Sequence, residues 1–142
     1  MDIDDRAQEI RDEFAFLDDW EQRYAHIIDL GKANPPLSPE ERREDTRVRG
    51  CASQVWLVTE PGPDETLSLR AESDAMIVSG LIALLTRLYS GARAQEIVAF
   101  DTEKLFDDIG VSGALTAQRS NGLASMLARV RDEAKVAVTG AG

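Results

Sequence analysis

Cysteine occurs once in this chain, at Cys51, and histidine once, at His26. One cysteine forms no internal disulfide and supplies no multi-cysteine zinc or cluster site. Aromatic residues are also sparse, at 6% of the sequence. Aliphatic side chains must therefore do most of the core packing. There is no long hydrophobic run: the most apolar stretch, Ala75 to Leu85, is broken by Ser79 and Gly80 and is too short to span a bilayer. The opening Met1-Asp2-Ile3-Asp4-Asp5 lacks the basic and apolar regions of a signal peptide. The expectation is a reduced, cytoplasmic protein with no membrane association.

Acids are plentiful. The formal net charge is −10 over 142 residues. A field of that sign repels phosphate backbones, which argues against nucleic-acid binding. It favours solubility and steering toward a basic protein partner. The charge is uneven: residues 1–21 carry nine acids against two arginines, whereas 42–49 carry four arginines against two acids. The basic stretch runs up to Cys51. The length suits one domain over 1–142, and the apolar share suffices for a real core.

Apolar spacing predicts a first helix from Asp4 or Asp5 to about Leu30, with Ile10, Phe14, Leu17, Tyr24 and Ile28 on one face and Gly31 as its stop. Asn34-Pro35-Pro36-Leu37 reads as an extended linker. Ser38-Pro39-Glu40-Glu41 reads as a capping box opening a helix of about two turns, to roughly Glu44. Thr46-Arg47-Val48-Arg49 then alternates like a strand, interrupted by Gly50. Ser53–Thr59 and Thr66–Ala71 read as antiparallel strands joined by the turn Pro61-Gly62-Pro63-Asp64-Glu65. A central buried helix follows from Ala75 to about Ser90, capped by Ser73 or Asp74 and ended by Gly91. Asp101–Phe106 suggests a short helix stopped at Gly110. Thr116 can cap a last helix that carries Leu123, Met126, Leu127 and Val130 on one side, with a frayed tail from Val138. This order predicts an α+β fold: a small antiparallel sheet of about three strands packed against helices.

Gly50 permits a sharp backbone turn, which places Cys51 at a loop tip. Arg47 and Arg49 lie close enough in sequence to stabilise a thiolate. On spacing alone, a reactive thiol and a buried inert one stand equal. A cysteine hydrolase needs a base, and His26, inside a helix, reads as a packing or surface residue. Thiol exchange needs a thiolate, access and a leaving sulfur, but no dedicated base. Arg42 and Arg43 read more readily as a solvated edge than as a partner guide. Trp56 reads as a core residue on a central strand. Glu72, Asp74 and Asp64-Glu65 lack metal-site spacing and read as caps and turns. Gly110-Val111-Ser112-Gly113 is a weak phosphate-loop signal. Arg119-Ser120-Asn121-Gly122 places a turn-favouring pair early in the last helix. Either that helix starts after Gly122, or Arg119 and Asn121 hold another loop through hydrogen bonds.

Arg49-Gly50-Cys51-Ala52-Ser53-Gln54-Val55-Trp56-Leu57 resembles the cysteine-loop motif of SufE-type sulfur acceptor proteins. Trp20-Glu21-Gln22-Arg23-Tyr24 with Ile28-Asp29-Leu30-Gly31 resembles that family's first helix, and Pro36-Leu37 its linker. Ala71-Glu72-Ser73-Asp74-Ala75 with Ile77-Val78-Ser79-Gly80-Leu81 resembles its strand-to-helix junction, and Leu115-Thr116 with Arg119–Leu123 its C-terminal motif. The five fragments lie in order over nearly the whole chain. Ala52 and Pro35 depart from many relatives at positions that perform no chemistry.

The resemblance implies a small α+β fold similar to that of the cluster scaffold proteins. It implies a SufS-like cysteine desulfurase as partner, whose pyridoxal phosphate belongs to the partner; the chain itself needs no cofactor and no metal. It implies that Cys51 accepts a persulfide sulfur, that the chain stimulates the desulfurase rather than acting as an enzyme itself, and that the sulfur passes to an iron–sulfur scaffold complex. Arg49, Gly50, Ser53, Gln54, Asp74, Arg119 and Asn121 are the implied supporting or partner-binding residues. The family packs this loop against an apolar surface until the partner engages it, so burial and reactivity are compatible. The resemblance extends equally to the CsdE-like branch, which serves a different desulfurase. A docking regulator that carries no sulfur is the alternative reading. A monomer and a homodimer both fit the sequence.

Overall fold

Two N-caps divide the roughly 40 Å of helix expected at the start of the chain into two separate pieces. The computed structural model describes residues 2–48, 54–111 and 117–138, with side chains in the last stretch from 125 onward. Helix α1 (Ile3–Ala15) begins where the Asp2 side chain accepts a hydrogen bond from Asp5 N, at 2.9 Å. Helix α2 (Trp20–Ala33) begins where Asp19 accepts from Gln22 N, at 2.8 Å, while Gln22 reaches back to Asp18 N. The continuous helix expected over this region is therefore corrected to two. The apolar stripe ran through the break because Leu17 still packs on the core from the connecting turn. Only Ile27 of α2 is fully buried, and Tyr24 is exposed.

Gly31 does not stop α2; it lies inside it. Helix α3 (Met76–Tyr89) packs against α2 so closely that a Cβ on Gly80 would lie 1.9 Å from the Ile27 carbonyl oxygen. A Cβ on Gly31 would lie 2.8 Å from both Gly80 N and Met76 O. Both glycines thus serve backbone-to-backbone contact. The expected central helix is found: α3 buries Val78, Leu81, Ile82, Leu84, Leu85, Leu88 and Tyr89. Gly91, at φ +83°, follows its C-cap.

Strands β1 (Val55–Pro61) and β2 (Thr66–Ser73) are antiparallel, in register from Val55↔Ser73 to Pro61↔Leu67. Their turn places Asp64 and Glu65 at positive φ. Val55, Leu57, Leu67, Leu69 and Ala71 face the core by simple alternation. The third strand, β3 (Ala92–Arg93), pairs with Thr66 and Leu67, giving the order β1-β2-β3. Residues 46–48, expected as a strand, make only an isolated bridge, Arg47↔Trp56, on the other edge. Trp56 is half-buried on the outward face of β1, not a core residue of a central strand.

The capping box at Ser38 forms, but the helix it opens is one 3-10 turn, Pro39–Glu41, shorter than expected. Helices α4 (Ala94–Ala99) and α5 (Thr102–Asp108) follow β3. At the end of α5, Gly110 N bonds Asp107 O and Val111 N bonds Phe106 O, with Gly110 at φ +79°. That is a Schellman cap, which explains Gly110 better than phosphate binding. Helix α6 (Ala117–Val138) runs straight through Asn121-Gly122, so the later start is not observed. Its residues Met126, Leu127, Val130 and Ala134 join the core. Together these elements make an α+β fold with six α-helices and one three-stranded antiparallel sheet among the described residues. No helix among them is long and apolar enough to cross a membrane.

Candidate functional site

Arg49, Gly50, Cys51 and Ser53 lie outside the described residues, as does Thr116; Arg119 and Asn121 are placed by the backbone of α6 alone. The geometry that can be built is that of the two limbs joined by residues 49–53, with Cys51 the middle residue of those five. Each limb is anchored in its own way.

The upstream limb is residues 45–48. Its inner edge pairs with β1: Val48 N donates to Val55 O and Leu57 N donates to Thr46 O, both at 2.8 Å. Thr46 is buried, accepting from Arg43 N at 2.9 Å and donating to Glu41 O at 2.7 Å. The outer edge meets α6. The Arg129 guanidinium donates to Arg47 O at 2.7 Å and also to Asp45 O.

The downstream limb starts at Gln54. Its N–H donates to Asp74 Oδ1 at 2.9 Å, and Asp74 N donates back to Gln54 O at 3.2 Å. Of the site residues expected from the sequence, these two are brought together. Asp74 therefore does not cap α3. Nor does Ser73 in the usual sense: the N-cap residue is Ala75, without a side-chain bond, while Ser73 Oγ accepts from Ala75 N and Ser79 Oγ donates to Ser73 O. The carboxylate is drawn to the Gln54 amide because that N–H has no partner within β1.

The linker before the upstream limb is laid across the outer face of β2. Asn34 Nδ2 donates to Ala71 O at 2.9 Å, and Leu37 N donates to Glu72 Oε1 at 2.7 Å. Glu72 also pairs with Arg42, and Arg43 pairs with Asp45. The first half of the basic stretch is thus the locally paired, solvated edge expected for Arg42 and Arg43. Arg70 forks onto both oxygens of Glu41 and reaches Glu60 as well. Hydrogen bonds from Arg70 pull the Glu41 carboxyl down to about 2. Asp45 is held below the usual range chiefly by its hydrogen bond from Arg43.

His26 sits apart from these limbs in its interactions. Its Nε2 pairs with Glu13 Oε2 at 2.9 Å, and its ring meets Phe14 edge-on at 5.2 Å. Partial burial works to raise the Glu13 pKa, but hydrogen bonds from His26 and Arg87 outweigh it and leave it lowered. His26 thus falls between the packing and surface roles expected of it, partly exposed while it joins α2 to α1. Among the described residues, no group of three or more His, Cys, Asp or Glu side chains is arranged to hold a metal ion.

Two residues escaped the sequence reading. Glu72 was read as a cap or turn residue, yet it pins the linker. Arg129 was not singled out at all. Its only signal is a long cation flanking the apolar stripe Met126, Leu127 and Val130, and its partners are backbone carbonyls, which carry no residue code.

A protein-family model described as "SufE: Fe-S metabolism associated domain" matches residues 8–134. An uncharacterized SufE-like protein of Rhizobium etli is 51% identical over 131 residues, covering 90% of this chain and 88% of that one. Another, of Rhizobium meliloti, is 46% identical over 130 residues, covering 89% and 93%. Among solved structures, the solution structure of a hypothetical protein from Thermus thermophilus superposes with a TM-score of 0.74 at 19% identity, covering 94% of this chain and 96% of that one. That likeness shows the shared fold, and the sequence matches show the lineage. The chain belongs to the SufE family, a family associated with iron–sulfur metabolism.

Proposed function

We propose that this chain, as a single domain over 1–142, is a sulfur carrier. The Cys51 thiolate attacks the outer sulfur of a cysteine persulfide on a SufS-like desulfurase. A new S–S bond forms to Cys51, the old S–S bond breaks, and the partner's cysteine leaves as its thiolate. The persulfide then on Cys51 is handed to an iron–sulfur scaffold complex. The chain stimulates the desulfurase by emptying its cysteine, and performs no turnover of its own.

The observation that carries this reading is the chain's only cysteine lying within Arg49–Leu57, the motif of a family tied to iron–sulfur metabolism. The anchored limbs on either side support it, because a carrier thiol must be presented by a fixed frame. Gln54 and Asp74 hold the downstream limb. Arg49, Gly50 and Ser53 shape the loop, and Arg119 with Asn121 support it from α6. A reducing cytoplasm keeps such a thiol free.

The test is desulfurase turnover. Alanine formation from free cysteine is measured with a SufS-like desulfurase alone, with the wild-type chain, and with Cys51→Ser. Stimulation by wild type, lost in Cys51→Ser that still folds and binds, is the expected result. Stimulation retained by Cys51→Ser would make the chain a docking regulator and overturn the carrier reading.

A further inference from the structure

Aromatic side chains are scarce in this chain: four phenylalanines, two tryptophans and two tyrosines. The core takes Phe14, Tyr89 and Phe106, each at most 2% exposed. Three others lie on the surface, all within positions 16 to 24. Phe16 is 83% exposed, Trp20 49% and Tyr24 40%. Phe16 is the C-cap residue of α1, and Trp20 opens α2. Trp20 and Tyr24 stand one helical turn apart, with ring centroids 6.1 Å from each other. By helical spacing both fall on the side of α2 that carries Ile27, its fully buried residue. The apolar side of α2 therefore runs on past its covered part into solvent. An (i, i+4) ring pair stabilises a helix only slightly, so it gives little reason to keep these rings exposed.

Acids alternate with these aromatics. Asp18, Asp19 and Glu21 are exposed, and no ion pair engages them among the described residues. The neighbouring cations are already engaged. Arg11 pairs with Asp108, and Arg87 and His26 both meet Glu13. The Arg23 guanidinium lies over Gly110, where a Cβ would sit 2.9 Å from its Nη1.

We propose that Phe16, Trp20 and Tyr24 form a docking surface for a partner protein that presents arginine or lysine side chains among apolar ones. Aromatic faces attract such cations, and exposed tryptophan and tyrosine make strong interface anchors. The unpaired acids steer a basic surface toward them. A second copy of this chain is the wrong occupant, because a two-fold contact sets Asp18, Asp19 and Glu21 against the same three acids. The surface also stands apart from the downstream limb. About 16 Å of α2 separates Trp20 from Gly31, and it is the Gly31 end that abuts Met76, two residues after Asp74. A partner seated on the aromatic end leaves the Gln54–Asp74 joint open.

The test uses the full-length chain and three short synthetic peptides, alternating arginine with leucine, arginine with serine, and glutamate with leucine. Binding is followed by titration and located by backbone amide NMR shifts. The arginine–leucine peptide is expected to bind with its shifts centred on residues 16–24. The arginine–serine peptide should bind at least about fivefold more weakly, and the glutamate–leucine peptide not at all. Trp20→Ala with Tyr24→Ala should weaken arginine–leucine binding at least about tenfold. Met76→Ala, which trims another half-exposed apolar side chain, should stay within about twofold of wild type. Asp18→Asn with Glu21→Gln keeps the rings, should weaken binding about threefold or more, and serves alone if the aromatic variant fails to fold. Shifts spread evenly over the acidic surface, or equal affinity in the folded variants, overturn the proposal. So does a dimer in sedimentation that Trp20→Ala dissolves, which would give the surface to a second copy. Peptide binding makes no use of the thiol, so its failure and that of the carrier reading are separate results.

Discussion

The seam between α2 and α3 and the two limbs beside Cys51 are held by opposite kinds of contact. At the seam, backbones touch. Gly31 and Gly80 leave no room for a methyl group, and the contact is steric. At the limbs, the joints are few hydrogen bonds, among them Asp74 to the exposed Gln54 and Arg129 to two carbonyls. Steric seams open only with the whole fold, whereas a few polar joints near solvent open locally at far smaller cost.

The sharpest way to break this contrast is to crowd the seam. Gly80→Ala drives a methyl group into the Ile27 carbonyl, and neither helix backbone has slack. It should cost more than about 4 kcal/mol and lower Tm by more than about 10 °C, or abolish folding, as read by thermal melting. Gly31→Ala meets backbone at 2.8 Å rather than 1.9 Å, and should cost about 2 kcal/mol. An equal or larger loss at Gly31 would mean that the seam is tightest elsewhere.

The limbs should respond differently. Asp74→Ala removes the acceptor for Gln54 N and should cost no more than about 1 kcal/mol, because both groups are exposed. Its alkylation rate at Cys51 should nevertheless rise several-fold. A large drop in Tm without that rise would place Asp74 with the seam and erase the distinction.

The smallest effect concerns pH. The Glu41 carboxyl is depressed to about 2 in the folded chain, against an ordinary value of about 4.3. A depressed carboxylate contributes stability that is fully present above its unfolded pKa and is lost as pH falls through the folded one. The Tm advantage of wild type over Glu41→Gln should therefore be full at neutral pH, shrink below about 4.3 and vanish near 2. Glu41 is only half-buried and its partner Arg70 is exposed over about half its side chain, so solvent screens the pair and the advantage is small throughout. A gap that widens on acidification would contradict the role of Arg70.

Parts of this arrangement were legible in the sequence. The all-round apolar character of Met76–Tyr89 announced a buried helix, and strict alternation in Thr66–Ala71 announced a strand. Strand β3 was not legible: two residues carry no period, and β3 exists because the Thr66–Leu67 edge accepts it. The break between α1 and α2 was written in Asp18-Asp19 and Gln22, but a hydrophobic stripe spanning Leu17 spoke louder than the cap. Asp74 and Gln54 were both singled out through the resemblance to the family, yet their pairing was not, because the two lie twenty residues apart in sequence. Arg129 bonds main-chain oxygens, and no side-chain pattern records such a contact.

The central claim is that Cys51 carries sulfur, and intact mass spectrometry tests it most directly. The chain is incubated with a SufS-like desulfurase and free cysteine, then weighed before and after treatment with a thiol reductant. The account predicts a gain of one sulfur atom on the wild-type chain, reversed by the reductant and missing from Cys51→Ser. No gain on wild type, or the same gain on Cys51→Ser, would contradict it.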